Sequence, residues 1–294
     1  MMNMIDISSW QKGLDLGALF GADNRLDGVI VKLTEGADYV NPEANAWITW
    51  LTLHKKPFGT YHFLSTAGAK TEARHYAEEL KKWPGGVPAI DYEATALTKG
   101  TGYLLECLEE VYRLTGVKPL VYCSQSVTRT QDFSAIAAAG YRLWVAQYAD
   151  MKEVHGFIGT PWQQGSVAPF DGYVMHQYTS CGRLTGWSRN LDFDQFRGGL
   201  EEWAALAAGD VTKPEPTPAP SEPKGPEPDL ISEILHGKWG NGTERAANLA
   251  AAGYDAEAVQ KKVNELYAIA LTCKKKLAGN EEYLNSVCWI VRAL

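Results

Sequence analysis

The sequence predicts an α/β barrel followed by a small helical bundle, on three observations. Short apolar segments recur through the first two thirds of the chain. Helical stretches separate the earlier ones. A proline-rich run then divides this region from a segment of purely helical pattern. Continuous apolar strands alternating with helices indicate a parallel sheet buried on both faces. Eight such strands in about 195 residues suit closure into a barrel.

The predicted strands are 4–8 (MIDIS), 28–34 (GVIVKLT), 58–63 (FGTYHF), 87–93 (VPAIDYE), 118–124 (KPLVYCS), 142–148 (RLWVAQY), 172–179 (GYVMHQYT) and 190–196 (NLDFDQF). Helices are expected at 41–55, 69–82, 101–115 and 125–139. The last three strands have little helical sequence between them, so the barrel should close irregularly. Residues 213–228 (KPEPTPAPSEPKGPEP) include seven prolines in sixteen residues. Proline fixes φ and removes the amide donor, so this stretch reads as an extended polyproline II spacer of roughly 50 Å. Beyond it, Asp229 is expected as an N-cap, Gly253 as a helix-ending C′ residue and Asp255 as a second N-cap. Val259, Val263, Leu266 and Ala270 follow on one stripe. A last amphipathic helix, NEEYLNSVCWIVRAL, is a candidate for added core or for homo-oligomer formation. The expected division is 1–205 barrel, 206–229 linker, 230–268 helical module and 269–294 helical tail.

Composition narrows the function classes. Net charge is −7 and there is no long basic stretch, which argues against a nucleic-acid partner. The Lys274-Lys275-Lys276 run reads as a solvated helix face. No apolar run reaches the roughly 18 residues of a membrane span, so no membrane insertion is expected. The start MMNMIDISSW lacks a basic segment and an apolar segment, so no secretory signal is read there. Five cysteines without CxxC spacing argue against zinc and fit a reducing compartment. Cys107, Cys123, Cys273 and Cys288 read as core filler.

The chemistry is carried by acids. Asp6, Asp91, Glu93 and Asp192 sit in or at the ends of apolar strands, where a carboxyl is costly to bury unless paired or functional. Asp91 and Glu93 are two apart, hence on one face of a strand and about 6.6 Å from Cα to Cα. At that separation two carboxylates repel by roughly 2.5 kcal/mol at an effective dielectric near 20. One can then stay protonated while another ionises, as general acid catalysis of glycoside cleavage requires. Tyr61, Tyr92, Trp144, Tyr148, Tyr178 and Trp187 fall near the same strand ends, and aromatic faces stack on sugar rings. His62 lacks a second histidine at ligand spacing and reads as a hydrogen-bonded structural residue. No metal and no cofactor is expected.

These segments match a family together and in order. IDISSWQ (5–11), KLTEG (32–36), GTYHF (59–63), AIDYE (89–93), LWVAQY (143–148), HQYTSCGRLTG (176–186) and LDFDQF (191–196) resemble glycoside hydrolase family 25, lysozymes that include many phage endolysins. The resemblance implies an irregular barrel of five βα units plus three strands. It implies cleavage of the β-1,4 bond between N-acetylmuramic acid and N-acetylglucosamine in peptidoglycan. It carries Glu93 onto the general acid and Asp91 onto its partner that stabilises the developing cation. Asp6 and Asp192 take the other two acids, with Asp194 a second candidate for the last. Tyr61 and Tyr92 become substrate contacts. The family reaction is usually described as retaining, with help from the substrate acetamido group; residue spacing does not choose the outcome. His176 stands where many relatives have Trp.

Residues 234–266 resemble the CW-seven type of phage lysozyme wall-binding repeat. This implies a three-helix bundle that binds a muropeptide, with Lys238, Trp239, Gly240 and Asn241 of the GKWGNG turn and the following Arg245 as the binding set; Trp239 also reads as a core aromatic. Synthesis in the host cytoplasm followed by action on the bacterial wall fits this pairing, as does a bacterial autolysin with another exit. Two other readings are a wall-binding lectin without catalysis and a metal-dependent hydrolase using Asp6, Asp91 and His62.

Overall fold

Strand alternation decides which residues meet inside this molecule. The computed structural model describes residues 1–209, 228–235 and 237–265, which form parts of two compact units, 1–213 and 214–294. In chain order the first unit runs β1 (Met2–Ile7), α1 (Leu16–Gly21), β2 (Gly28–Glu35), β3 (Tyr39–Val40), α2 (Ala44–Leu53), β4 (Phe58–Phe63), α3 (Ala69–Leu80), β5 (Val87–Asp91), α4 (Gly100–Thr115), β6 (Leu120–Ser124), α5 (Gln125–Thr130), α6 (Ser134–Ala138), β7 (Leu143–Ala146), β8 (Val154–His155), β9 (Met175–Arg183), β10 (Leu191–Phe196) and α7 (Leu200–Ala208).

β1, β2, β4, β5, β6, β7 and β9 pair in parallel in that order, and β10 closes the ring antiparallel between β9 and β1. The result is an eight-stranded barrel, as the strand pattern predicts, with the five βα units and three further strands that the family resemblance implies. β3 and β8 are two-residue additions outside the ring. The sequence reading missed α1 and α7, and it joined α5 and α6, which residues 131–133 separate. α7 runs three residues beyond the boundary expected at 205.

Alternate strand residues build two apolar layers. Ile5, Val31, Ile90, Val121, Val145 and Phe193 face the helices with Leu51, Tyr76, Leu108 and Phe133. Met4, Ile30, Ala89, Leu120, Trp144 and Met175 fill the lumen. Trp203 of α7 closes the end of the lumen where the parallel strands begin: it packs edge-on to Phe196 at 5.0 Å and donates Nε1–H to the Phe58 carbonyl at 3.2 Å. Gly59 is glycine because a Cβ there would stand 2.9 Å from the Val87 carbonyl and 3.3 Å from Trp203.

One polar cluster is buried in the outer layer. Glu72 of α3 accepts from Ser65 N at 2.7 Å, Ala67 N at 2.9 Å and the Tyr103 hydroxyl at 2.7 Å, and it meets His62 Nε2 at 3.3 Å. Burial alone would raise its pKa; these hydrogen bonds win and hold it at about 2. The acid thereby ties down the β4–α3 loop. His62 is the hydrogen-bonded residue expected, with Thr34 Oγ1 2.8 Å from Nδ1. Cys107 and Cys123 are buried free thiols in the same layer.

In the second unit, α8 (Pro228–Leu235), α9 (Gly242–Ala251) and a helical stretch from 256 to 265 pack Leu230, Ile231, Ile234, Leu249, Val259 and Val263 together. Asp255 caps the third helix through Oδ1, accepting from Glu257 N at 3.0 Å and Ala258 N at 2.9 Å. Gly253 takes the left-handed conformation just past α9 (φ +80°), as its place in the sequence predicts. α8 begins at Pro228, so Asp229 lies inside the helix rather than at its cap. Leu266, Ala270, Cys273, Cys288 and the 269–294 tail, with the oligomerisation assigned to it, lie outside the described residues. Among the described residues no helix is long and apolar enough to cross a membrane.

Trp203→Ala should cost about 3–5 kcal/mol in urea unfolding, the usual penalty for emptying a large core aromatic site. A loss below 1 kcal/mol would mean that α7 is an appendage and not the closure of the barrel.

Candidate active site

Parallel strands end together, so side chains at their C-terminal ends converge on one mouth. There a cavity of about 290 Å³ is lined by Asp6 of β1, Lys32 of β2, Tyr61 and Phe63 of β4, Asp91 and Glu93 at the end of β5, Tyr122 of β6, Trp144 of β7, Tyr148, Gln177 of β9 and Asp192 of β10, with Ser8 and Trp10 at its rim. All four acids expected from the sequence share this cavity. Among the described residues no group of three His, Cys, Asp or Glu side chains is arranged to hold a metal ion. The ligand set of Asp6, Asp91 and His62 is not assembled, because His62 follows Tyr61 and faces the helix layer.

Asp91 and Glu93 differ in depth. Asp91 is buried with Oδ1 lacking a hydrogen-bond partner. Glu93 is half-buried at the start of a 3₁₀ helix (Ala94–Lys99), where its carboxyl caps nothing. The chain turns sharply after it because Ala94 adopts φ +47°, a left-handed conformation that costs a non-glycine residue about 1–2 kcal/mol. Glu93 is therefore left aimed at the cavity rather than consumed by the helix terminus.

Burial is the largest cause of the unusual proton affinities here. It lifts Asp91 well above the ordinary carboxylate range, with repulsion from Glu93 and Asp6 added. It raises Glu93, against which Lys32 works. It brings Asp192 to about 8, assisted by Asp6 and Glu93. Asp6 rises only to about 6: burial is again first, but hydrogen bonds from Gln177 and Asp194 offset it. The sequence reading assigned the effect to Asp91–Glu93 repulsion; desolvation exceeds it, and the repulsion falls on Asp91 rather than on Glu93. Lys32, the cation of the mouth, pairs with Glu35 at 2.6 Å and lies over the Phe63 ring at 4.3 Å.

The aromatic expectations divide by strand parity. Tyr61 and Tyr148 line the cavity. Trp144 does too, but as a floor: it is fully buried and donates Nε1–H to Asp194 at 2.8 Å. Tyr92 is not a substrate contact. It lies between Asp91 and Glu93, hence on the opposite face, and its hydroxyl donates to Gln131 at 2.6 Å in the helix layer. Tyr178 is likewise outward, one residue from the inward Gln177, and its hydroxyl accepts from Ile158 N at 3.2 Å. His176 shares that outward face and meets the Gln147 carbonyl at 2.8 Å, so it makes no groove contact. Trp187 packs against the outer layer under the Arg189 guanidinium.

Sequence reasoning missed Trp10, Gln177 and Lys32. Trp10 is 84% exposed at the rim. A 3₁₀ turn (Ser9–Gln11) holds it there, with Ser8 Oγ accepting from Trp10 N and Gln11 Oε1 accepting from Ser8 N at 2.9 Å. The signal was present as S-x-x-Q directly after a strand, a capping box that fixes where the intervening aromatic points. Gln177 and Lys32 carried no signal beyond being polar residues in apolar strands.

In the second unit, the five expected binding residues cluster where α8 turns into α9. Glu233 accepts from Trp239 Nε1 at 3.0 Å and Lys238 Nζ at 3.3 Å. Arg245 donates to the Gly240 carbonyl at 3.0 Å and to Asn241 Oδ1 at 2.9 Å. Trp239 packs edge-on to Tyr254 against the bundle core, so it serves as the core aromatic while one side stays open.

The raised acids carry a stability cost with a definite sign. A carboxyl whose folded pKa exceeds its unfolded value favours the fold only below the unfolded value, and that contribution is lost as pH rises through the folded one. Asp192→Asn should therefore leave stability unchanged near pH 3 and raise it by about 1–3 kcal/mol at pH 8. Thermal unfolding across this range tests it; equal midpoints for both proteins at every pH would contradict the burial of Asp192 as an ionisable group.

Comparison with known proteins agrees with this geometry. The family model for glycosyl hydrolases family 25 matches residues 5–187, and the CW_7 repeat matches residues 228–267. A lysozyme of Streptococcus phage Cp-7 is 27% identical over 278 residues, spanning 89% of this chain and 69% of that protein. The bacterial lysozyme from Streptomyces coelicolor superposes with a TM-score of 0.57 at 21% identity, covering 70% of this chain and 96% of that one. The catalytic domain of endolysin ply40 from a Listeria monocytogenes phage does so at 0.56 and 23%, covering 71% and 98%. With acids gathered at the mouth of an irregular barrel and a matching small helical module beyond it, the chain belongs to glycosyl hydrolases family 25, as a lysozyme (muramidase) that carries a CW_7 repeat.

Proposed function

We propose that this chain is an endolysin that cleaves the β-1,4 bond between N-acetylmuramic acid and N-acetylglucosamine, with Glu93 as the general acid. The observation that carries this reading is the single cavity shared by Asp6, Asp91, Glu93 and Asp192. Glu93 is the acid suited to proton delivery: it is raised by burial, half open to the cavity and bound to no cap. Its proton goes to the departing glycosidic oxygen and returns from water. Asp91, more deeply desolvated, sits beside it, and its unpartnered Oδ1 turns a partial negative charge toward the positive charge developing at the sugar. Opposite them stand Asp6, raised only to about 6, and Asp192, which burial keeps protonated near neutrality. Tyr61 contacts the substrate from within the cavity, and the exposed face of Trp10 offers a stacking surface at the rim.

The CW_7 repeat implies binding to the cell wall. In our reading its ligand is a muropeptide unit held by Lys238, Trp239, Asn241 and Arg245. Tethering then raises the effective concentration of the barrel on an insoluble polymer. Synthesis in the host cytoplasm before action on the wall is in keeping with the phage origin of the Cp-7 relative. A lectin without catalysis has less support, since it would gain nothing from four desolvated acids.

Digested peptidoglycan, reduced with borohydride and analysed by mass spectrometry, should carry reduced muramic acid at its new ends. Reduced glucosamine ends or free peptides would exclude the proposed bond. Glu93→Gln should lower turnover by about 10²- to 10⁴-fold, the usual worth of a general acid; lysis at the wild-type rate would remove Glu93 from the reaction. A chain ending before residue 228 should still cleave soluble fragments yet sediment less with purified walls than the full chain, and equal sedimentation would dismiss the targeting role.

A further inference from the structure

A fifth carboxyl lies behind the four. Asp194 is fully buried on β10, two residues from Asp192, and does not line the cavity. Its register partners are Met4 and Gln177, while Asp6 stands opposite Asp192. Asp194 and Asp6 are thus diagonal neighbours across an antiparallel pair, close enough for their side chains to meet. Asp194 Oδ1 accepts from Trp144 Nε1 at 2.8 Å. Its Oδ2 is buried and reaches no N–H or O–H donor; the carboxyl of Asp6 is the acidic neighbour that the strand register brings against Asp194. Two ionised carboxylates do not hold such a contact in a desolvated site, so it requires one shared proton.

The surroundings decide which acid keeps that proton. Asp6 Oδ2 accepts from Gln177 Nε2 at 2.6 Å. The amide is oriented by two hydroxyls that donate to its Oε1, Tyr122 at 2.8 Å and Tyr148 at 2.5 Å. Asp6 also opens on the cavity, where water can solvate its charge. Asp194 has no such access.

We propose that Asp194 is a positioning residue that retains its proton and donates it to Asp6, so that Asp6, pinned between Asp194 and Gln177, is the acid the cavity keeps as an anion. Burial lifts Asp194 well above Asp6 in proton affinity, which agrees with this direction. The other acids facing the pair are Asp192 on β10 and Glu93 and Asp91 at the end of β5, all of which disfavour a second charge. The phenol of Tyr61 on β4 completes the ring with Tyr122 and Tyr148, and Lys32 on β2 acts on Asp91 and Glu93. A single fixed anion beneath the sugar favours the cation that forms there while leaving neighbouring protons in place. That consequence for turnover rests on the hydrolase reading above; the placement of the proton does not.

Carbon-13 NMR of aspartate-labelled full-length protein tests the placement directly, with Asp6→Asn and Asp194→Asn assigning the two carboxyl signals. The Asp194 carbon should keep its protonated shift after that of Asp6 has moved, at about 6. Ionisation of Asp194 before Asp6 overturns the proposal. Asp194→Leu, which removes the donor, should move the Asp6 titration upward and lower kcat by about 10- to 100-fold, the worth of one hydrogen bond to a charged group. Asn at 194 can still donate to Asp6 and accept from Trp144, so Asp194→Asn should restore kcat to within about threefold of wild type. An Asn variant as slow as the Leu variant, or a Leu variant with the wild-type profile, refutes it. If Asp194→Leu does not fold, the titration order and the Asn variant decide alone. The expected titration order in a protein that fails to cleave peptidoglycan upholds the placement and rejects only the hydrolase reading.

Discussion

Desolvation of carboxyl groups that cannot move apart is the constraint on which the barrel unit turns. Each strand delivers its acid to the mouth at a height set by its own register, and pairing on both sides leaves the strand no freedom to withdraw it. A charged carboxylate in that position gives up water without gaining a cation; Lys32 faces only the β5 side. The protein therefore holds protons where free aspartate and glutamate would not, and the shift that destabilises the fold is the one that makes a proton donor at neutral pH.

The rest of the unit sustains this cost. The lumen below the acids is filled by Met4, Ile30, Ala89 and Trp144 and closed by Trp203, so the floor of the cavity has nowhere to relax. The outer layer locks each strand against its helix. Glu72 shows the opposite use of a buried acid: with backbone amides, Tyr103 and His62 all directed at it, it stays ionised and holds a loop. Two kinds of buried carboxyl thus occur within one fold, distinguished by whether donors surround them. At the mouth, Asp91 and Asp192 lack donors and keep protons, whereas Asp6 is given donors; the acid beneath the β4–α3 loop has them and keeps its charge.

The acids at the mouth were legible because parity is exact in a strand. Asp91 and Glu93 are two apart, and no plausible register separates them. The same parity, applied to aromatic residues, would have excluded Tyr92, which is one from each, and Tyr178, which is one from Gln177. Position along the strand points to both, and the family resemblance to Tyr92 as well, but the barrel turns them into the helix layer. Asp192 and Asp194 share a face, so parity could not rank them; depth in the barrel does, leaving the first in the cavity and the second behind it. Trp10 was missed because it lies outside any strand, on a turn whose capping residues were readable but whose direction depends on the β1 end to which it is attached.

The sequence by itself determined the order of the eight barrel strands, their faces, the helical character of the second unit and the identities of the four acids, since these follow from local periodicity, capping chemistry and the cost of polar groups in apolar runs. Only the tertiary structure decided which acids share a proton, that burial outweighs repulsion in raising them, and that Gln177 and Trp144 aim their N–H groups at Asp6 and Asp194. Those outcomes depend on distances between strands far apart in the chain and on the exclusion of water by the assembled barrel, neither of which is a property of any local stretch of residues.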